Sequence, residues 1–140
     1  MKMVFYVGLI LVAALQAYVR LSPMDAEVWH VDPFDAEARK DGAALVRFSS
    51  SMSPTQTLEA FEAVALATAR TQVLAGTPDS GRMSFITRSA LWGFPDVTTI
   101  GVREAGEGSE VAIFARLRFG KSDLGVNAKR VAAWRAAVGI

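Results

Sequence analysis

Glu110 to Phe119 reads EVAIFARLRF, and its alternation decides the fold class. Val111, Ile113, Ala115, Leu117 and Phe119 fall on one side of an extended chain, while Ala112, Phe114, Arg116 and Arg118 fall on the other. A period of two marks a strand with one face in a core, the other face here mixing an aromatic ring with two cations. Upstream, Val97 to Arg103 has the same strand-like character, and Ala105 to Ser109 between them reads AGEGS, a stretch that permits reversal. The two strands are expected to pair as an antiparallel hairpin.

Further upstream, Arg82 to Arg88 and Ala44 to Phe48 read as strands, and Trp92 to Pro95 as a turn. Between them Ser53, Pro54 and Gln56 form a capping-box start. The helix it opens should run to about Ala69 and bury Leu58, Phe61, Ala65 and Ala69. Downstream, Asp123 or Asn127 can cap a last helix with Val131, Trp134 and Val138 on one stripe and Lys129, Arg130 and Arg135 in water. This order predicts an α+β fold: an antiparallel sheet with a central amphipathic helix and a C-terminal helix packed on one face, helix-grip-like in shape.

The chain's 140 residues have room for one such domain. Hydrophobic content of 51% is concentrated at the N-terminus, where Met3 to Val19 reads MVFYVGLILVAALQAYV between Lys2 and Arg20. As a helix this run spans roughly 25 Å, close to a bilayer's hydrocarbon core. It is apolar all round, unlike a packing helix, and is expected to be a transmembrane or signal-anchor helix. Cleavage after Ala17 is disfavoured by the bulky Leu15. Lys2 before the run and Asp25, Glu27 and Asp32 after it place the N-terminus in the cytoplasm and the domain in the periplasm or exterior. The expected organisation is a membrane anchor or signal segment over residues 1–20, an extended connector over 21–41 and one domain over 42–140. Trp29 should pack the connector on the domain.

Lys+Arg 15 against Asp+Glu 14 gives no broad positive field, so nucleic acid is not an expected partner. With no cysteine, and no clustered histidines or carboxylates at ligand spacing, no metal or other cofactor is expected. The single histidine, His30, suits an anchoring hydrogen bond better than general-base duty.

The FPD string at Phe94 to Asp96 and FGKSDLGVNAKRV at Phe119 to Val131 resemble a family called domain of unknown function 1499. WHVDP at Trp29 to Pro33 and ARTQVLAG at Ala69 to Gly76 extend the likeness over nearly all of the chain beyond the apolar run. The resemblance implies a bacterial or plastid protein with an export or membrane segment, and no reaction. Where members often have a serine-arginine pair, this chain has Ala115, Arg116, Leu117 and Arg118, so no serine-based role is carried over.

The candidate site is a cationic set, Arg88, Arg116, Arg118 and Lys121, near Asp96, Asp123 and Asn127. If Arg88 joins the face of Arg116 and Arg118, their guanidinium groups suit a carboxylate or phosphate. The competing expectation is that these arginines pair with Asp96 and Asp123 and lock the sheet to the last helix. The leading function is a noncatalytic, membrane-tethered envelope domain binding a small amphipathic or anionic ligand in a cavity walled by Arg116 or Arg118. A structural subunit or partner-docking domain of a membrane complex is the alternative, with a filled interior and with Gly8, Ala13, Ala14 and Ala17 offering close helix contact. An enzyme stands third, with Asp96 or Asp123 as base in a cleft; no catalytic residue is otherwise assigned.

Overall fold

The computed structural model describes residues 1–37 and 41–140, so residues 38–40 of the expected connector lie outside the described residues. In chain order the elements are α1 (Lys2–Leu21), α2 (Ala26–Trp29), β1 (Ala43–Ser50), α3 (Pro54–Ala67), β2 (Thr71–Thr77), β3 (Arg82–Arg88), β4 (Pro95–Ala105), β5 (Gly108–Leu117) and α4 (Val126–Val138). The strands form one antiparallel sheet in the order β1-β5-β4-β3-β2. The hairpin of β4 and β5 lies at its centre, in the register Ile100 opposite Ile113.

α3 and α4 cover one face. Ser53 accepts from the Gln56 amide while the Gln56 side chain accepts from the Ser53 amide, so both orphan donors are satisfied where Pro54 opens α3. Leu58, Phe61 and Ala65 then meet Val111, Ile113 and Ala115 of β5 in a core closed to water. α4 adds Trp134, whose ring stands edge-on to Phe85 at 5.8 Å and whose indole N–H donates to Thr68 Oγ1 at 2.9 Å. Trp134 is therefore both an apolar plug and a tie between the two helices. These side chains pack together between the helices and the sheet, where a helix-grip cup would hold a ligand.

Three differences from the sequence expectation have physical causes. β2 is a strand that the sequence does not announce: it is the sheet's edge, broken by a bulge between Val73 and Ala75, and carries no two-residue alternation. Gly76 follows at φ 88°, where a Cβ would strike the Arg82 carbonyl. α3 stops at Ala67, because the chain must turn through Arg70 at φ 57° to enter β2. The connector contains α2, a single turn capped by Asp25, whose carboxylate accepts from the Glu27 amide.

The connector is a strap on the second face of the sheet. Pro33 and Phe34 lie directly over Gly101 of β4, where a Cβ would come within 2.7 Å of Pro33 Cγ. Glycine at this position lets the strap lie flat on the strand.

Candidate functional site

Strand alternation puts Arg82 and Arg88 of β3 and Arg116 of β5 on the strap face, since Ile86 opposes Val97 and Val97 opposes Arg116. Arg88 thus shares a face with Arg116. Each arginine reaches the strap or α1. Arg116 donates to the Trp29 carbonyl at 3.2 Å and stacks between the Trp29 and Phe114 rings, 4.8 Å from each. It also walls a shallow hollow of about 280 Å³ with Val28, Trp29 and Val31. Arg118 donates to the Pro23 carbonyl at 2.7 Å and the Ser22 carbonyl at 3.4 Å, over the Phe119 ring. Arg88 donates to the Val19 carbonyl at 3.4 Å and the Gly93 carbonyl at 3.0 Å.

These contacts receive the end of α1. The last carbonyls of a helix have no partner within it and carry partial negative charge, so cationic donors there are favourable. Arg88 supplies one at Val19, which is buried, and the Tyr18 ring stands edge-on to Phe119 at 6.1 Å. Every other residue of α1 apart from the half-buried Gln16 is exposed. The helix is long and apolar enough to cross a membrane, as a signal sequence also is.

Beside this junction opens the cleft that sequence reasoning did not single out. It has a volume of about 510 Å³ and is lined by Arg20, Arg70 and Arg88, with Thr68, Thr71 and Ser89 among its polar neighbours and no carboxylate. Arg20 is held by the Gln16 side chain and the Leu91 carbonyl, and Arg70 by the Arg88 carbonyl. The ion pairs among the described residues join Arg82 to Asp32, Arg103 to Glu110 and Arg130 to Asp96, so none neutralises this cleft. The available signals were the cation closing the apolar run and the ART of the family-like string; neither reveals that the fold brings them beside Arg88.

The acidic candidates gather elsewhere, where β4 begins and α4 begins. Asp96 pairs with Arg130 at 3.3 Å, and Arg130 also donates to Asn127 Oδ1 at 2.7 Å. Asp123 accepts from the Gly125 amide at 2.9 Å and the Asn127 amide at 2.7 Å, so it satisfies a first-turn donor of α4, whose N-cap is Gly125 and neither Asp123 nor Asn127. The partner of Asp96 is thus Arg130 of the last helix, and none of the arginines expected for that role. Burial pushes the Asp96 carboxyl above its usual range, against the opposing pull of Arg130. At Asp123 the upward push of burial is outweighed by the Asn127 and Gly125 amides, which hold it below the usual range. Lys121 is exposed on the loop between β5 and α4 and makes no ion pair among those described.

His30 anchors the strap. Arg82 Nε donates to His30 Nε2 at 3.2 Å, and an arginine only donates, so the imidazole proton is on Nδ1, 2.8 Å from Ser84 Oγ. Ser84 then bonds Thr99, and Thr99 faces the Trp29 carbonyl. Burial, then the Arg82 charge, lowers the His30 pKa. Ser84 is fully buried, so its hydroxyl is spent within this network and does not face solvent. Among the described residues no group of three or more histidines and carboxylates is placed to hold a metal ion.

Fold and junction define a single α+β domain with helices on one face of an antiparallel sheet and a strap and helix terminus on the other. Solved structures resemble its α+β fold. Protein MLL2253 from Mesorhizobium loti is 11% identical, over 69% of this chain and 93% of its own, with a TM-score of 0.51. Mll3558 from Rhizobium loti is 14% identical, with coverage of 69% and 93% and a TM-score of 0.53. An uncharacterised protein from Rhizobium leguminosarum is 8% identical, with coverage of 69% and 90% and a TM-score of 0.51. At these identities the likeness is one of fold alone. No curated protein matches the sequence. The chain belongs to the family DUF1499, proteins of unknown function, whose profile matches residues 22–138.

Proposed function

We propose that this protein is a noncatalytic accessory domain of the cell envelope, held against the outer surface of the cytoplasmic membrane by α1. The observation that carries the reading is the junction: Arg88 and Arg118 bond the backbone from Val19 to Pro23, so no free linker separates the apolar helix from the domain. α1 has 20 residues, roughly 30 Å of helix, which matches a hydrocarbon core of about that thickness. Leu91 and Trp92, 75% and 41% exposed, sit on the turn that Arg20 touches and suit the headgroup layer. The filled interior argues against a ligand cup between sheet and helices. The pairing of Asp96 and the bonding of both His30 nitrogens to Ser84 and Arg82 argue against catalysis.

A partner-docking role within a membrane complex is the second reading, favoured by the small residues Gly8, Ala13, Ala14 and Ala17 on exposed turns of α1. The test is to express the full chain, wash membranes with alkaline carbonate, treat spheroplasts with protease and weigh the chain intact. Retention at full mass with a protease-sensitive domain is expected. A soluble product lacking residues 1–17 would refute the tether, and a protected domain would refute the orientation.

A further inference from the structure

We propose that the cleft of Arg20, Arg70 and Arg88 binds a phosphate group. The inference deepens the tether reading and rests on it for the source of the phosphate, which at this depth is a phospholipid headgroup. Arg20 ends the apolar run of α1, so in a chain anchored by that helix it lies where the hydrocarbon stops and the phosphates begin. The cleft shares Arg20 and therefore lies at the same level.

The chemistry of the lining points the same way. Guanidinium groups present planar forks of N–H donors that match phosphate oxygens, and their charge persists at every physiological pH. Here three of them line one cleft with no carboxylate in the lining and none paired to them among the described residues. Such a concentration of like charge is unfavourable unless an anion or water compensates it. Each head is also oriented beforehand: Arg20 by Gln16 and the Leu91 carbonyl, Arg70 by the Arg88 carbonyl, and Arg88 by the Val19 and Gly93 carbonyls. These bonds occupy only some of the five donors on each arginine and leave the rest to a ligand. Arg70 is held at φ 57°, a conformation that is costly for a residue with a side chain. The cleft's volume of about 510 Å³ admits a glycerophosphate moiety, while its open mouth leaves acyl chains outside.

The experiment uses the full chain in dodecyl maltoside micelles, which carry no phosphate, with the arginine Nε–H groups followed by NMR. In one arm dioleoylphosphatidylglycerol is added; in the other, sodium phosphate and glycerol 3-phosphate, against chloride at matched ionic strength. Saturable shifts of the Arg20 and Arg70 signals, with Arg103 unmoved, are expected in the lipid arm. Arg70→Gln and, separately, Arg20→Gln should each weaken the response about tenfold. Saturation by the soluble phosphates at millimolar concentration with no response to the lipid would support the phosphate site and overturn its lipid source. No saturable response in either arm, or one equal at Arg103, would overturn the site. If carbonate washing releases the chain while soluble phosphate still saturates the cleft, the tether fails and the site stands. If the chain stays in the membrane while the cleft is unresponsive, the tether stands and the site fails.

Discussion

Replacing Arg130 by methionine tests whether the acidic cluster is a latch or a site. The Arg130 and Asp96 side chains are only 11% and 14% exposed, and they meet at 3.3 Å. Removing one member of a buried pair strands the other charge, at a cost of roughly 3–5 kcal/mol, and the residual exposure here argues for the lower end. The destabilisation at pH 7 should therefore be about 3 kcal/mol. Its pH dependence follows from Asp96, whose pKa is already raised in the folded protein by burial. Without Arg130, whose charge opposes that rise, the folded pKa goes higher still. A carboxyl with a raised folded pKa binds its proton better in the folded state, so stability increases as pH falls from above the folded value toward the unfolded one. The deficit of the Arg130→Met variant relative to the parent should thus shrink on mild acidification. Adding Asp96→Asn should recover most of the loss at pH 7, because no unpaired charge remains. Urea unfolding of the full chain in detergent at stepped pH, followed by tryptophan fluorescence, measures the parent and both variants. A deficit of the single variant relative to the parent that does not shrink on acidification, or a double variant no better than the single, would refute the latch.

His30 gives the opposite sign. Its folded pKa is lowered by burial and by Arg82, so the unfolded state binds the proton better, and stability should fall as pH drops through 6.5 toward the folded value. Thermal unfolding at pH 7.5 and 5.5 should show this loss in the parent chain and a smaller one in His30→Asn; equal losses would show that His30 is not its source. Gly101→Val should lift the strap while leaving the helix-side core intact, since the new Cβ meets Pro33 within 2.7 Å. Hydrogen exchange should then accelerate about tenfold in residues 25–34 and little in β5, and uniform acceleration would show that strap and sheet open together.

The helix-facing half of the fold was legible because its residues obey short periods. β5 alternates, α3 opens on a capping box, and α4 places Val131 and Trp134 on one stripe; each is a local rule that needs no knowledge of neighbours. β2 was illegible for the converse reason: Thr71 to Thr77 becomes a strand through pairing with β3, and its own pattern is interrupted by a bulge and Gly76. The connector shows the same limit, since nothing local in WHVDP says that Pro33 lies on Gly101 or that His30 reaches Ser84 across the sheet face.

The candidate site divides along the same line. Two-residue spacing sends Arg116 and Arg118 toward one side, but spacing carries no information about what covers that side. The covering strap offers backbone carbonyls at Trp29, Ser22 and Pro23, and these take up the guanidinium donors that would otherwise face a ligand. A cationic face in a sequence becomes an anion site only where the fold leaves donors uncovered and carboxylates absent. On this sheet that condition is met where the strap has not yet begun, beside the end of α1, and the arginines there come from α1, from the turn after α3 and from the end of β3. Their sequence separation hid them, and their dependence on the docked end of α1 ties the cleft to that helix. Arg88 holds Val19 with one donor and lines the cleft with the same head, so displacing α1 would disturb the cleft, and filling the cleft would brace α1.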